Sequence, residues 1–304
     1  STTIFKKNPI NFIISLFVIL YAFINSLFFL FLKKPNLIFG MGGYTSFPTC
    51  IAAKILGIPF VIYENNLILG KTNKYLLPFA KKIFVSNLDI TGIAEKYKSK
   101  VLKSGNIIRE EMLKRTSRNI YNNDHLRLMV LGGSQGAKIF GEKIPFIFQQ
   151  CQENNIKIKI IQQCQKNQNK VLDEFYRKNE INFELFNFTE NILDYFNKTD
   201  LVITRSGSSV IAELINCRLP FIAIPLPSAA DNHQYINAKY FEKKGCNFTI
   251  EEKELENNLF PLIKSIHKDK SLLIKITKKQ EQYSDLNVFE NINLELNKII
   301  NEKN

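Results

Sequence analysis

The chain has 304 residues, 45% hydrophobic and 23% charged, with 41 Lys and Arg against 28 Asp and Glu for a net charge of +13. That length gives room for about two domains of ~150 residues, and the composition excludes a disordered chain, a collagen-like repeat and a small disulfide scaffold. The basic balance points to an anionic partner (nucleic acid, anionic lipid or a phosphorylated substrate), or to a Lys- and Asn-rich bias with no partner behind it.

The first residue is Ser1, not Met. Residues 10–32 read INFIISLFVILYAFINSLFFLFL, with Lys6 and Lys7 before the run and Lys33 and Lys34 after it. The run is long enough to span a bilayer, and lysines on both flanks give it no orientation. It reads equally as an interfacial or a buried helix. Beyond Lys34, short apolar strands alternate with helices: strands at 35–40, 58–64, 82–86 and 100–104, helices at 46–57, 70–79 and 89–98, with Ser46 as a cap. Residues 105–124 are polar and aperiodic, the mark of a linker. A second alternation follows. Its strands are LRLMVL, KIKIIQQ, NFELFNF, DLVIT and PFIAIP, with helices near 136–152, 168–179, 190–198, 207–217 and 232–244, and the tail 252–304 is helical. The pattern predicts an α/β chain of two doubly wound parallel sheets. Its parts are a partial first domain at 1–104, the linker at 105–124, a second domain at 125–250 and C-terminal helices at 251–304.

The five cysteines are odd in number, widely spaced and without C-x-x-C. They predict buried inert thiols in a reducing compartment rather than a disulfide framework or a zinc site. The three histidines are scattered, and the chain has no metal-ligand motif, no readable Ser–His–Asp arrangement and no nucleic-acid motif.

Ligands of open parallel sheets bind in the loops at the carboxyl ends of the strands. Five such loops carry candidate chemistry. GMGGYTSFP (40–48) is a phosphate-approaching loop or a tight βα turn. YENN (63–66) offers Glu64 as a base or sugar ligand, or only a capping cluster. GGSQGAK (132–138) joins a strand to a helix, where backbone N–H groups, Ser134 and the helix dipole favour phosphate. TRSGSSVIAE (204–213) supplies Arg205, Ser208 and Ser209, and Glu213 suits a ribose unless it is a solvated helix charge. PLPSAADNHQ (225–234) ends in a polar cluster that suits sugar hydroxyls or caps a helix through Asp231.

Together, GMGGYTSFP, YENNLILGKTN, SGNIIRE, VLGGSQGAK, TRSGSSVIAE and PLPSAADNHQYINA resemble the MurG family of bacterial glycosyltransferases over roughly residues 35–250. The resemblance implies a GT-B fold, two Rossmann-like domains facing a cleft. It implies a hexosyltransferase of peptidoglycan synthesis, and so of cell wall biogenesis, cell shape and division. The reaction would invert the anomeric centre as GlcNAc moves from UDP-GlcNAc to the MurNAc 4-hydroxyl of lipid I, giving lipid II. Carried over motif by motif, Asn66 contacts the sugar, Arg109 faces the nucleotide sugar, Ser134 meets the pyrophosphate and the Thr189 backbone holds uracil. Arg205 and Ser208 to Glu213 (Ser209, Val210, Ile211 and Ala212 between them) wrap the diphosphate and ribose, and His233 and Gln234 bind sugar hydroxyls. No cofactor or metal is implied.

Val210 stands where the family commonly has Thr, QQCQK (162–166) lacks a glycine often found there, and Tyr63 replaces a frequent His. The family's opening G-x-G-G-x-x-G-H loop, about sixty residues of chain with the first strands of the sheet, has no counterpart before residue 35. The first domain is therefore expected to be incomplete, and the catalytic base is unassigned because the family's His lies in that loop. Those opening strands pair in the same sheet as 35–40, which predicts that 10–32 lies on or dips into the membrane surface. The resulting expectation is a peripheral protein on the cytoplasmic side of the inner membrane, with an anionic membrane surface as a partner and no nucleic acid. The alternatives are another UDP-sugar glycolipid synthase of GT-B fold, or a truncated non-catalytic membrane-associated copy.

Overall fold

The computed structural model describes residues 9–113, 124–283, 285 and 287–301. The chain separates into two compact units, Ser1–Ile107 with Asn287–Asn304, and Ile108–Leu286.

The first unit begins with α1 (Pro9–Lys33), then β1 (Ile38–Gly40), α2 (Gly43–Ile55), β2 (Phe60–Glu64), α3 (Lys71–Leu76), β3 (Ile83–Val85) and β4 (Val101–Lys103). The four strands are parallel and in sequence order. β2 is buried along its whole length, so its alternation serves two faces. Phe60 and Ile62 face a core with Leu30, Ala52, Ala53 and Leu76, while Val61 and Tyr63 face the other side with Phe84. The apolar run at 10–32 forms one helix. Phe23, Leu27 and Leu30, spaced four and three apart, turn one stripe of α1 into the core, and the Ser26 hydroxyl meets that of Thr49 on α2 at 3.1 Å. The opposite face is bare: Phe17, Tyr21 and Phe28 are each about two-thirds exposed, at 66%, 69% and 67%. Taken over the described residues, no helix is long and apolar enough to cross a membrane. Lys6 and Lys7 lie outside the described residues.

Two local expectations fail here for identifiable reasons. Ser46 does not cap α2; the helix starts three residues earlier and the hydroxyl donates back to Gly42 O at 2.8 Å. The helix expected at 89–98 is replaced by an extended stretch and a 3₁₀ turn at Glu95–Lys100. Thr91 pairs with Ile68 in an isolated parallel bridge, its N–H donating to Leu67 O and its carbonyl accepting from Leu69 N–H. That pairing engages the backbone groups a helix would use.

The second unit contains β5 (Leu126–Leu131), α4 (Gly133–Glu153), β6 (Ile158–Gln163), α5 (Asn169–Lys178), β7 (Asn182–Phe186), α6 (Ile192–Asn197), β8 (Leu201–Thr204), α7 (Ser208–Asn216), β9 (Phe221–Ala223), α8 (His233–Lys243), β10 (Phe248–Thr249), α9 (Leu255–Lys268) and α10 (Ser271–Gln280). All pairings are parallel, in the order β10-β9-β8-β5-β6-β7. Leu126, Leu128 and Val130 of β5 pack with Phe140, Ile144 and Phe148 of α4 and with α9. Met129, on the opposite face, packs with Ile211 and Ile215 of α7. β10 has only two residues, too short to leave a periodic signal.

The segment expected as a linker is partly structural. Ile108 and Met112 are buried in the second unit's core, and Met112 lies against Cys217; residues 114–123 lie outside the described residues. The helical tail divides. α9 and α10 pack on the second unit, whereas α11 (Val288–Asn301) covers the second face of the first sheet, placing Val288, Ile292 and Ile299 against Val61, Tyr63 and Phe84. All five cysteines are buried and free, and burial pushes the thiols of Cys50 and Cys246 up to about 11 and that of Cys151 to about 12.

At the amino end of the second sheet, Asp200 ties β5 to β8. Its carboxylate accepts from the Arg127 backbone N–H at 2.9 Å and from its guanidinium at 3.0 and 2.5 Å, and its own N–H donates to Arg127 O. Asp200→Ala leaves a partly buried guanidinium unpaired and is expected to cost about 3 kcal/mol, read as a lower denaturant midpoint at unchanged m-value.

Candidate functional site

In the second sheet the chain runs outward from β5 to β6 and β7, then returns to lay β8 on the other side of β5. Helices α4 and α7 therefore leave neighbouring strands toward opposite faces, and the carboxyl ends of β5 and β8 border a crevice. The loops opening there are GGSQGAK, where the sequence favours phosphate, and TRSG, where the family resemblance implies diphosphate and ribose.

Gly133 heads α4 with φ +62°, and a Cβ there would meet nothing within 4 Å. The glycine is required by its left-handed backbone, not by crowding. Its N–H donates to Gln163 Oε1 at 3.0 Å. The Ser134 side chain lies outside the described residues.

Arg205 does not offer its charge to this crevice. The residue is 7% exposed. Its guanidinium donates to Ile224 O at 3.2 Å and Pro225 O at 3.4 Å, meets Glu252 at 2.5 Å and lies 4.7 Å over the Phe140 ring. A buried guanidinium needs such partners, and finding them fastens the TRSG turn to the loop after β9.

Past that turn, Ser208 and Ser209 open α7. Val210 is partly buried, and Ile211 and Ala212 point into the core at 1% and 3% exposure, so no side chain of these three reaches into the crevice as a polar ligand. Glu213 lies one turn further. Its Oε1 accepts from Arg109 Nε and Nη2, each at 3.3 Å, while Arg109 Nη1 reaches Glu111 at 3.3 Å. Burial pushes the Glu213 carboxyl up, Arg109 pulls it back part of the way, and Glu111 pushes it up again. The structure thus brings together two residues, 104 positions apart, that the sequence could only nominate separately.

The polar cluster after β9 is built on strain. Asp231 and Asn232 are consecutive non-glycine residues at φ +51° and +55°, an uncommon conformation that costs on the order of 1–3 kcal/mol per residue. It delivers His233 as the first residue of α8, with Asn232 in the N-cap position and making no side-chain cap. His233 Nδ1 lies 2.6 Å from Ala230 O. A carbonyl only accepts, so this nitrogen carries the proton and, in the neutral ring, Nε2 keeps its lone pair. Gln234 Oε1 accepts from Ser206 N–H at 3.3 Å and Leu226 N–H at 3.0 Å, joining the loops after β8 and β9.

Thr189 Oγ1 accepts from Asn191 N–H at 3.1 Å, shaping the turn after β7. Next to it Phe188 is 79% exposed, a residue the sequence reading passed over; its signal was an aromatic at a strand end with no core position to fill. Gln163 was also passed over, because an amide at a strand end carries no chemical signature.

Asn66 belongs to the first unit. Its N–H and Nδ2 donate to Glu64 Oε1 at 3.1 and 3.0 Å, and Glu64 Oε2 accepts from Gly70 N–H and Asn73 Nδ2. Four donors on a carboxylate 5% exposed make Glu64 the organiser of its loop, not a base. Among the described residues, no group of three or more His, Cys, Asp or Glu side chains is set to hold a metal.

The glycosyltransferase family 28 C-terminal domain matches residues 127–291 and the family 28 N-terminal domain matches residues 6–85, α1 included. Over 296 residues the chain is 35% identical to the UDP-N-acetylglucosamine--N-acetylmuramyl-(pentapeptide) pyrophosphoryl-undecaprenol N-acetylglucosamine transferase of Pelagibacter ubique, covering 97% of this chain and 81% of that protein. The crystal structure of Acinetobacter baumannii MurG superposes with a TM-score of 0.74 at 25% identity, over 91% of this chain and 78% of that one. The chain belongs to the MurG family. A Rickettsia felis relative bearing the same name as the Pelagibacter protein is 37% identical over 261 residues, 80% of this chain and 71% of its own. Outside the MurG family, the Staphylococcus aureus MnaA–UDP co-structure matches with a TM-score of 0.67 at 15% identity, over 90% of this chain and 78% of that one, a likeness of GT-B fold alone.

Arg109 lowers the pKa of a carboxyl that burial has raised. A ¹³C titration is expected to find Glu213 above the ordinary ~4.3 of a glutamate, and higher still in Arg109→Ala. The linked stability has a definite sign: a raised carboxyl pKa favours the fold at low pH, and that contribution is lost as pH rises through the raised value.

Proposed function

We propose that this chain transfers GlcNAc from UDP-GlcNAc to the MurNAc 4-hydroxyl of a lipid-pyrophosphoryl-MurNAc-pentapeptide, lipid I, in the synthesis of peptidoglycan. The observation that carries the reading is the crevice between β5 and β8, bordered by α4 and α7 at a topological switch point, with Glu213 one turn into α7. A relative named for this reaction, aligned along 97% of the chain, supports the same reading.

In this reading the diphosphate lies at the heads of α4 and α7. The negative charge that UDP gains as it leaves then faces two helix N-termini, which stabilise it without reorganising. Glu213, ionised, accepts from the ribose hydroxyls and is released from Arg109 when it does so, leaving Arg109 beside the nucleotide. His233 and Gln234 take sugar hydroxyls, and the Thr189 backbone takes the base. Arg205 acts through the loop it holds.

The bare face of α1 and Lys33 and Lys34 at its end fit contact with an anionic membrane surface, where a lipid-linked acceptor resides. On this reading the protein works peripherally, on the cytoplasmic side of the inner membrane, within cell wall biogenesis and division.

Calorimetry with UDP-GlcNAc and UDP-glucose, followed by transfer of radiolabelled GlcNAc to lipid I, tests the proposal. The expected outcome is preference for UDP-GlcNAc, label in the lipid product, and affinity lowered ~10- to 100-fold by Glu213→Ala, the worth of a charge-assisted hydrogen bond. Label recovered only as free or epimerised sugar would overturn it. For the membrane contact, the triple variant Phe17→Ser, Tyr21→Ser, Phe28→Ser is expected to lose flotation with anionic vesicles by tenfold or more while binding UDP-GlcNAc unchanged.

A further inference from the structure

Gln163 ends β6, the strand beside β5, and makes two bonds in opposite senses. Its Oε1 accepts from Gly133 N–H at 3.0 Å and its Nε2 donates to Asn187 O at 3.3 Å. One neutral side chain thus reaches from the head of α4, where the glycine loop turns, to the loop after β7 that carries Thr189. Both anchors are themselves held. Asn187 and Asn169, at the start of α5, exchange side-chain bonds at 2.9 and 3.1 Å, and Asn187 Nδ2 also donates to Cys164 O at 2.9 Å. Five residues along α4, Lys138 O accepts from Gln168 Nε2 at 3.0 Å, and Gln168 Oε1 accepts from Gln165 N–H at 3.2 Å. This second bridge is tight: a Cβ at Gly141 would come within 2.5 Å of Gln168 Nε2, so α4 has a glycine where the amide passes under it.

The first turns of α4 are therefore fixed at one N–H and one C=O by amides from the β6 end. A helix N-terminus stabilises an anion only if its N–H groups point at it, and Arg205, the nearby cation, is turned into the core. With Arg205 so turned, the α4 N–H groups help to hold an anion only as far as they are aimed at it.

We infer that Gln163 is a positioning residue for the donor diphosphate, setting the aim of the α4 N–H groups by bridging Gly133 to Asn187. The inference rests on the donor-site reading given under Proposed function. Gln163→Met keeps the length of the side chain and removes both bonds. In the full chain, calorimetry is expected to give a Kd for UDP raised about tenfold, one positioned hydrogen bond, with uridine, which lacks the phosphates, within twofold of wild type. With UDP-GlcNAc as donor, KM rises and kcat changes less. Equal UDP affinity in variant and wild type would overturn the inference, and so would equal losses for UDP and uridine, the signature of a merely structural role. If Gln163→Met melts far below wild type, Gln163→Asn, a polar side chain one methylene too short to bridge Gly133 and Asn187, carries the same comparison: a loss selective for UDP supports the inference, and a parallel loss or none overturns it. Failure of wild type to bind UDP at all would instead overturn the donor-site reading, and this inference with it.

Discussion

The second unit depends on one topological constraint. β5 is hydrogen-bonded to β6 on one side and to β8 on the other, so the helices that follow β5 and β8 must leave toward opposite faces of the sheet. The loops between strand and helix cannot close over one another there. Gly133, at the head of α4, and Arg205 to Ser209, at the head of α7, sit on the two strand-to-helix connections that this reversal opens. In β5 and β8, Leu128, Val130, Val202 and Ile203 are buried apolar residues whose task is to hold the loops apart.

Charge is handled differently at the two sides of the crevice. Arg205 is desolvated and matched by carbonyls, a carboxylate and an aromatic face, a structural solution. Arg109 and Glu213 are matched to each other through long, partly exposed bonds. The second arrangement is easily exchanged: a pair at 3.3 Å, open to water on the arginine side, gains little over its separately solvated partners. Such a pair separates at small cost. The buried pair could not be broken without stranding a charge.

Much of the fold was legible because burial on both faces leaves continuous apolar strands, and glycine or proline marks their ends. The five strands LRLMVL, KIKIIQQ, NFELFNF, DLVIT and PFIAIP all appear, within a residue or two at their ends. The helix at 89–98 was misread because the pairing of Thr91 with Ile68 is tertiary and leaves no local trace. Arg205 looked like a free cation because sequence shows which residues neighbour a loop, not which way a side chain turns. For the same reason the sequence left Glu64 open as a base, a sugar ligand or part of a capping cluster. The Arg109–Glu213 pair and the Gln163 bridge connect elements far apart in the chain, and only the folded sheet reveals them.

The return of α11 to the first sheet has a consequence for how the protein is made. Phe84, Val61 and Tyr63 pack against Val288, Ile292 and Ile299, and these leave the ribosome only after the whole second unit. At about 5–20 residues per second the wait is roughly ten to forty seconds. During that interval one apolar face of the first sheet has been synthesised and its cover has not. The usual amino-to-carboxyl sequence of domain completion is inverted: the second unit can finish its core while the first still waits. A trigger factor or other holdase acting on the nascent chain would find its substrate at residues 60–64 and 83–85, and stop codons in the last helix would injure the first unit more than the one they follow.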